Sequence, residues 1–102
     1  MIEEIHTYIS YSDLNLPLYY WRTASGFEVD LIIGEMDLAI EFKASNTISV
    51  RDMKSIKVLM EEHKVKQSII VCLEEKPRQV KENLTILPWQ IFCKKLWSND
   101  FF

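Results

Sequence analysis

Residues 27–43 read FEVDLIIGEMDLAIEFK, and the fold depends on how this stretch divides. Phe27, Val29, Leu31 and Ile33 alternate with Glu28, Asp30 and Ile32. After Gly34, a second alternation sets Leu38, Ile40 and Phe42 against Ala39, Glu41 and Lys43. A period of two marks strands with one face on a core. The link GEMD is short, so the two strands form a hairpin. With Glu35 and Met36 as a two-residue loop, Asp30 stands opposite Glu41 and Glu28 opposite Lys43. All four point away from the apolar set.

Two facing carboxylates are costly. At ~5 Å and an effective dielectric of 20 they repel by roughly 3 kcal/mol, whereas a good cross-strand pair contributes only about 0.2–1 kcal/mol. Water, the Lys43 ammonium or a divalent cation must compensate. Mg²⁺ takes oxygen ligands of this kind, often one or two carboxylates with waters. A lysine two residues from such a ligand can polarise a water or stabilise charge on a phosphate. The alternative is the solvated side of a half-buried sheet.

The flanking sequence extends the sheet. Residues 2–11 read as a helix, with Ile2, Ile5 and Ile9 at helical spacing, and 12–17 as a loop. Residues 18–24 (LYYWRTA) read as an aromatic-rich strand closed by a Ser25-Gly26 turn. Ser49 and Asp52 form a variant capping box ahead of a helix whose buried stripe is Met53, Ile56, Leu59 and Met60, ending near His63. The apolar run 68–73 (SIIVCL) is a strand buried on both faces. Residues 74–83, charged and containing Pro77, read as an exposed loop, and 84–87 (LTIL) as a short strand. Pro88 suits the first position of a closing helix carrying Trp89, Phe92, Cys93 and Leu96. The order α-β-β-β-α-β-β-α predicts an α/β fold, a mixed sheet flanked by helices.

Length and charge narrow the classes. The chain has 102 residues, which suits one domain, and 48 % of them are hydrophobic. Net charge is -3, from 12 basic and 15 acidic residues. That balance predicts weak, salt-sensitive binding of nucleic acid at best, because phosphate contacts need clustered cations. Cys72 and Cys93 lack metal-ligand spacing and read as reduced thiols of a cytoplasmic protein. No membrane span or signal peptide is expected.

The order of an acid on the first helix (Glu4), then Asp30, then about ten residues to Glu41-Phe42-Lys43 resembles the PD-(D/E)XK nuclease superfamily. More closely, YYWRTASGFEVDLIIG followed by AIEFKAS, with the endings IIVCLEEKPRQV and ILPWQIFCKKLW, looks like the C-terminal domain of a family of uncharacterised prokaryotic AAA-type ATPases. The resemblance covers essentially all 102 residues. It implies a restriction-endonuclease-like mixed sheet. It also implies a nuclease-like domain acting on DNA phosphodiesters, with Mg²⁺ or Mn²⁺ on Asp30 and Glu41, Lys43 as catalytic lysine and Glu4 as accessory acid. Val29 stands where the motif's name has Pro. An ATPase domain would be the partner within a longer chain. The alternative is a catalytically inactive module binding nucleic acid or protein.

Other residues divide between two readings. Arg22 reads as a phosphate contact or an ion pair to Glu28, and Ser45 as a nucleic-acid contact or a turn former. Lys54, Lys57, Lys64 and Lys66 read as a solvated face. His6 and His63 have no partner at metal spacing. The tail SNDFF is either unstructured or docks on a partner, and the aromatic termini admit a homodimer.

Overall fold

The alternation at 27–43 becomes two antiparallel strands. A computed structural model of the chain describes Ile5, Thr7, Tyr8, residues 17–98 and Phe101. It places β1 at Leu18–Arg22, β2 at Glu28–Ile33 and β3 at Leu38–Phe42. The β1–β2 turn closes where Thr23 N–H donates to Phe27 O at 2.9 Å and Phe27 N–H donates to Thr23 Oγ1 at 3.1 Å. Gly26 supplies a φ of +95°. The β2–β3 register is the expected one, with Leu31 opposite Ile40, Ile32 opposite Ala39 and Ile33 opposite Leu38. The connection is wider than a two-residue loop. Asp37 N–H donates to Ile33 O at 3.2 Å, and both Gly34 and Met36 have positive φ.

After β3 the capping box forms. Ser49 N–H and Oγ–H both donate to Asp52 Oδ2, at 2.9 and 3.1 Å, and Asp52 N–H donates back to Ser49 Oγ at 3.3 Å. A 3₁₀ turn at Arg51–Met53 leads into α1, Lys54–Glu62. Met53, Ile56 and Leu59 are buried. β4 (Gln67–Cys72) returns parallel to β3. Its apolar run is continuous because alternate residues serve two cores, Ile70 and Cys72 one, Ile69 and Val71 the other.

Residues 74–83 are not a loop throughout. Arg78–Lys81 form β5, antiparallel to β6 (Leu84–Pro88), and α2 follows at Trp89–Trp97. β5 is an edge strand with three exposed residues of four. Edge strands carry charge that hides the alternation. Pro88 lies one position earlier than expected. Its ψ of 143° is extended and it still pairs with Cys72, so Trp89 is the first helical residue. The observed order gains one strand over α-β-β-β-α-β-β-α. Ile5, Thr7 and Tyr8 are helical, and the rest of the expected first helix lies outside the described residues.

The six strands form one mixed sheet in the order β1-β2-β3-β4-β6-β5. β3, β4 and β6 run parallel, while β1, β2 and β5 are antiparallel to their neighbours. On one face Ile32, Ala39, Ile70, Leu84 and Ile86 pack with Ile56 and Leu59 of α1. On the other, Ile33, Leu38, Ile40, Ile69 and Val71 pack with Phe92 and Leu96 of α2 and with Ile5 and Tyr8. Phe101 stacks on Phe92 at 5.6 Å, so this part of the tail docks on the chain's own core. No helix among the described residues is long and apolar enough to cross a membrane.

Candidate functional site

Strict alternation fails at one place in β2. Tyr19 pairs with Ile32 and Trp21 with Val29, so one residue of β1, Tyr20, stands against two of β2. The extra residue is a bulge at Asp30-Leu31. It moves Val29 out of the set of Leu31 and Ile33 and into the core under α1. Bulges re-aim side chains and are common beside functional sites.

At the bulge a side chain takes over from the backbone. The β2–β3 pairing extends to Leu31 and Ile40. Beyond it, Asp30 Oδ2 accepts the N–H of Phe42 at 2.8 Å. This bond holds the Asp30 carboxylate against Glu41, with which it shares a side-chain hydrogen bond.

Glu41 is 4 % exposed. Its Oε2 is buried and has no hydrogen-bond partner. Burial, followed by the charge of Asp30, raises its pKa from 4.5 to about 7. The Lys43 ammonium pulls in the opposite direction, and Glu28 adds a smaller upward push. At Glu41 the predicted polar face is therefore not solvated, whereas Glu28 at its end remains exposed. Ile32 and Ala39, the apolar members of that face, lie in the core with α1, and Glu28 N–H donates to Ser55 Oγ of α1 at 3.4 Å.

Lys43 follows directly on β3. Its N–H donates to Val71 O at 2.9 Å, carrying the parallel ladder one step further. The loop after it is pinned from across the sheet. Glu74 Oε2 accepts Ile48 N–H at 2.7 Å, and Arg78 Nη2 donates to Ile48 O at 2.8 Å. Arg78 also binds Glu74 through Nε and Nη2, each at 3.0 Å. A two-point guanidinium–carboxylate contact is more rigid than a single bond. It lowers the Glu74 pKa and raises that of Arg78. This clamp was hidden in the stretch read as loop. The available signal was the opposite charge at positions 74 and 78, flanking Pro77.

The remaining expected site residues separate. Arg22 forms an exposed ion pair with Glu28 at 3.2 Å, the structural alternative. Ser45 is a turn former: its Oγ–H donates to Thr47 O at 2.8 Å and its Oγ accepts Thr47 N–H at 3.2 Å. Glu4 and His6 lie outside the described residues. His63 sets its ring edge-to-face on Trp21 at 6.4 Å. Cys72 is buried, and burial raises its thiol pKa, which disfavours the nucleophilic thiolate.

Asp30 and Glu41 are the residues that could hold a hard divalent cation. They offer carboxylate oxygens at one spot, one of them buried without a partner. Among the described residues no group of three or more His, Cys, Asp and Glu is arranged to hold a metal. A site with one or two carboxylates suits Mg²⁺ or Mn²⁺, which keep waters, and not zinc, which takes three or four protein ligands.

No curated protein and no solved structure matches this chain. A family model described as "Domain of unknown function (DUF4143)" matches residues 1–92. Because that match spans most of its 102 residues, the chain belongs to the DUF4143 family.

Proposed function

We propose that this domain is a metal-dependent, nuclease-like module of the restriction-endonuclease-like class, acting on DNA phosphodiesters. The observation that supports this is the buried Glu41 carboxyl against Asp30, with its Oε2 lacking a hydrogen-bond partner and Lys43 two residues on. Such a pair is expensive to keep unless it holds something. In this reading Asp30 and Glu41 hold Mg²⁺ or Mn²⁺, and Glu4 is the accessory acid. When bound, the cation would neutralise phosphate charge and lower the pKa of a coordinated water. Lys43 places an ammonium where charge builds on the phosphate. Asp30, fixed by the Phe42 amide, orients its partner carboxyl, and the Glu74–Arg78 clamp holds the loop that follows Lys43. The family is found in AAA-ATPase-associated proteins. An ATPase domain is accordingly the partner proposed for the longer chain.

The near-complete burial of Glu41 favours a second reading, a catalytically inactive module binding nucleic acid or its ATPase partner. Titration calorimetry with Mn²⁺ separates the two. The nuclease reading expects wild type to take up Mn²⁺ and to melt at higher temperature with it, and Asp30→Asn to do neither. Lys43→Ala should keep Mn²⁺ uptake and lose plasmid cleavage. Absence of Mn²⁺ uptake by the wild type at millimolar concentration would replace the enzyme with the binding module.

A further inference from the structure

The outer face of α1 carries a groove of about 620 Å³ lined by Val50, Arg51, Lys54, Lys57, Val58 and Glu61. We propose that Arg51, Lys54 and Lys57 form a track for the phosphate backbone of DNA, leading to the Asp30–Glu41 site. The inference rests on the nucleic-acid reading of that site and adds the surface that carries the strand to it.

Three observations support the track. First, three cations face one carboxylate in the groove, on a chain whose net charge is -3. Among the described residues none of the three belongs to an ion pair, whereas Arg22 and Arg78 are each committed to a glutamate. Second, the row lies beside the N-terminal end of β2, the strand that carries Asp30. Ser55, next to Lys54, receives the Glu28 N–H, and Lys54 Nζ lies 5.6 Å from the centre of the ring of Phe27, the residue before β2. Third, the spacing suits a polyanion. Residues three apart share a helix face, and two such steps advance about 9 Å. Along one strand of duplex DNA phosphates recur roughly every 3.4 Å of axis, so the row spans two or three successive phosphates.

Cations that contact phosphate release counterions, which gives the track a signature that a folding defect does not imitate. Each neutralised phosphate contributes roughly 0.9 to the slope of log K against log salt. The experiment is fluorescence anisotropy of a labelled DNA duplex in EDTA, between about 50 and 200 mM salt. It compares wild type, the combined variant Arg51→Gln/Lys54→Gln/Lys57→Gln, and the control Lys94→Gln/Lys95→Gln on α2. The expected result is a slope shallower by about 2 to 3 in the first variant and unchanged in the control. Equal slopes in all three proteins, or the same loss in the control, would overturn the track. Wild type that fails to bind even at the lowest salt would also overturn it. Polyglutamate competing as well as unlabelled duplex would assign the face to an acidic protein instead. Plasmid cleavage with Mn²⁺, run in parallel, keeps the two readings apart. Cleavage with an unchanged KM in the triple variant removes the track and leaves the nuclease. The expected slope change without any cleavage leaves the track and removes the nuclease.

Discussion

Glu41 concentrates the electrostatic cost of this domain. Its carboxyl titrates at 4.5 when unperturbed and at about 7 in the fold, so the folded state holds the proton more tightly. The stability this brings is fully present below 4.5 and is lost as pH rises through 7. At about 1.4 kcal/mol per pKa unit, the loss is at most roughly 3.5 kcal/mol. Glu41→Gln keeps the shape and removes the charge. In EDTA it should match wild type at acid pH and exceed it by about 1–3 kcal/mol under alkaline conditions, as urea denaturation at the two pH values would show. Asp30 makes a different trade. Asp30→Asn removes the repulsion and retains an oxygen for the Phe42 amide, whereas Asp30→Ala removes both. The asparagine variant should be more stable than the alanine variant by about 1 kcal/mol, a difference that melts without metal would resolve.

At the scale of elements, two devices aim the site: the bulge in β2 and the capped entry to α1. The bulge lets Asp30 reach across to β3 while Val29 and Ile32 both stay under the helix. The capping box lies at the end of the segment that follows Lys43 and sets where α1 begins. Ser49 holds the Asp52 carboxylate by its N–H and its hydroxyl, and Asp52 returns one bond. The Asp52 pKa is lowered, first by the backbone hydrogen bond from Ser49. Ser49→Ala should cost about 1 kcal/mol of stability. It should also speed amide exchange in Arg51–Met53 before that in α1. Uniform exchange across both segments would mean that the box does not set the helix start.

At the scale of the whole molecule, the sheet is a shared wall between two cores. β4 contributes to both, as do β2, β3 and β6, which couples the helix layers through the sheet. Phe92 anchors the α2 side. It is fully buried, sits edge-on to Phe42 at 6.5 Å and stacks with Phe101 at 5.6 Å. Phe92→Ala should cost about 3–5 kcal/mol, a large share of the 5–15 kcal/mol typical of a domain. Because Phe42 follows Glu41, the repacking should also weaken Mn²⁺ uptake in a variant that remains folded. A loss of stability with unchanged Mn²⁺ affinity would show that the site is insulated from the α2 core.

The amino-acid sequence by itself determined the hairpin, its register, the capped helix and the doubly buried strand. Each of these is a local pattern with a period of two or 3.6, or a short-range bond such as Ser49 to Asp52, and local patterns can be read in one dimension. It also predicted Asp30 beside Glu41; in the structure the strand pairing ends at Leu31 and Ile40, and the bond from the Phe42 N–H to the Asp30 side chain carries the contact on. Only the tertiary structure decided that their face is covered by α1 and not bathed in water. That depends on a helix reached through a crossover, and burial raises the Glu41 pKa more than its neighbour's charge does. The bulge at Asp30-Leu31, the edge strand β5 and the Glu74–Arg78 clamp were likewise settled in three dimensions. Each arises from a contact between segments distant in the chain, or from an edge whose charged residues carry no alternation to read.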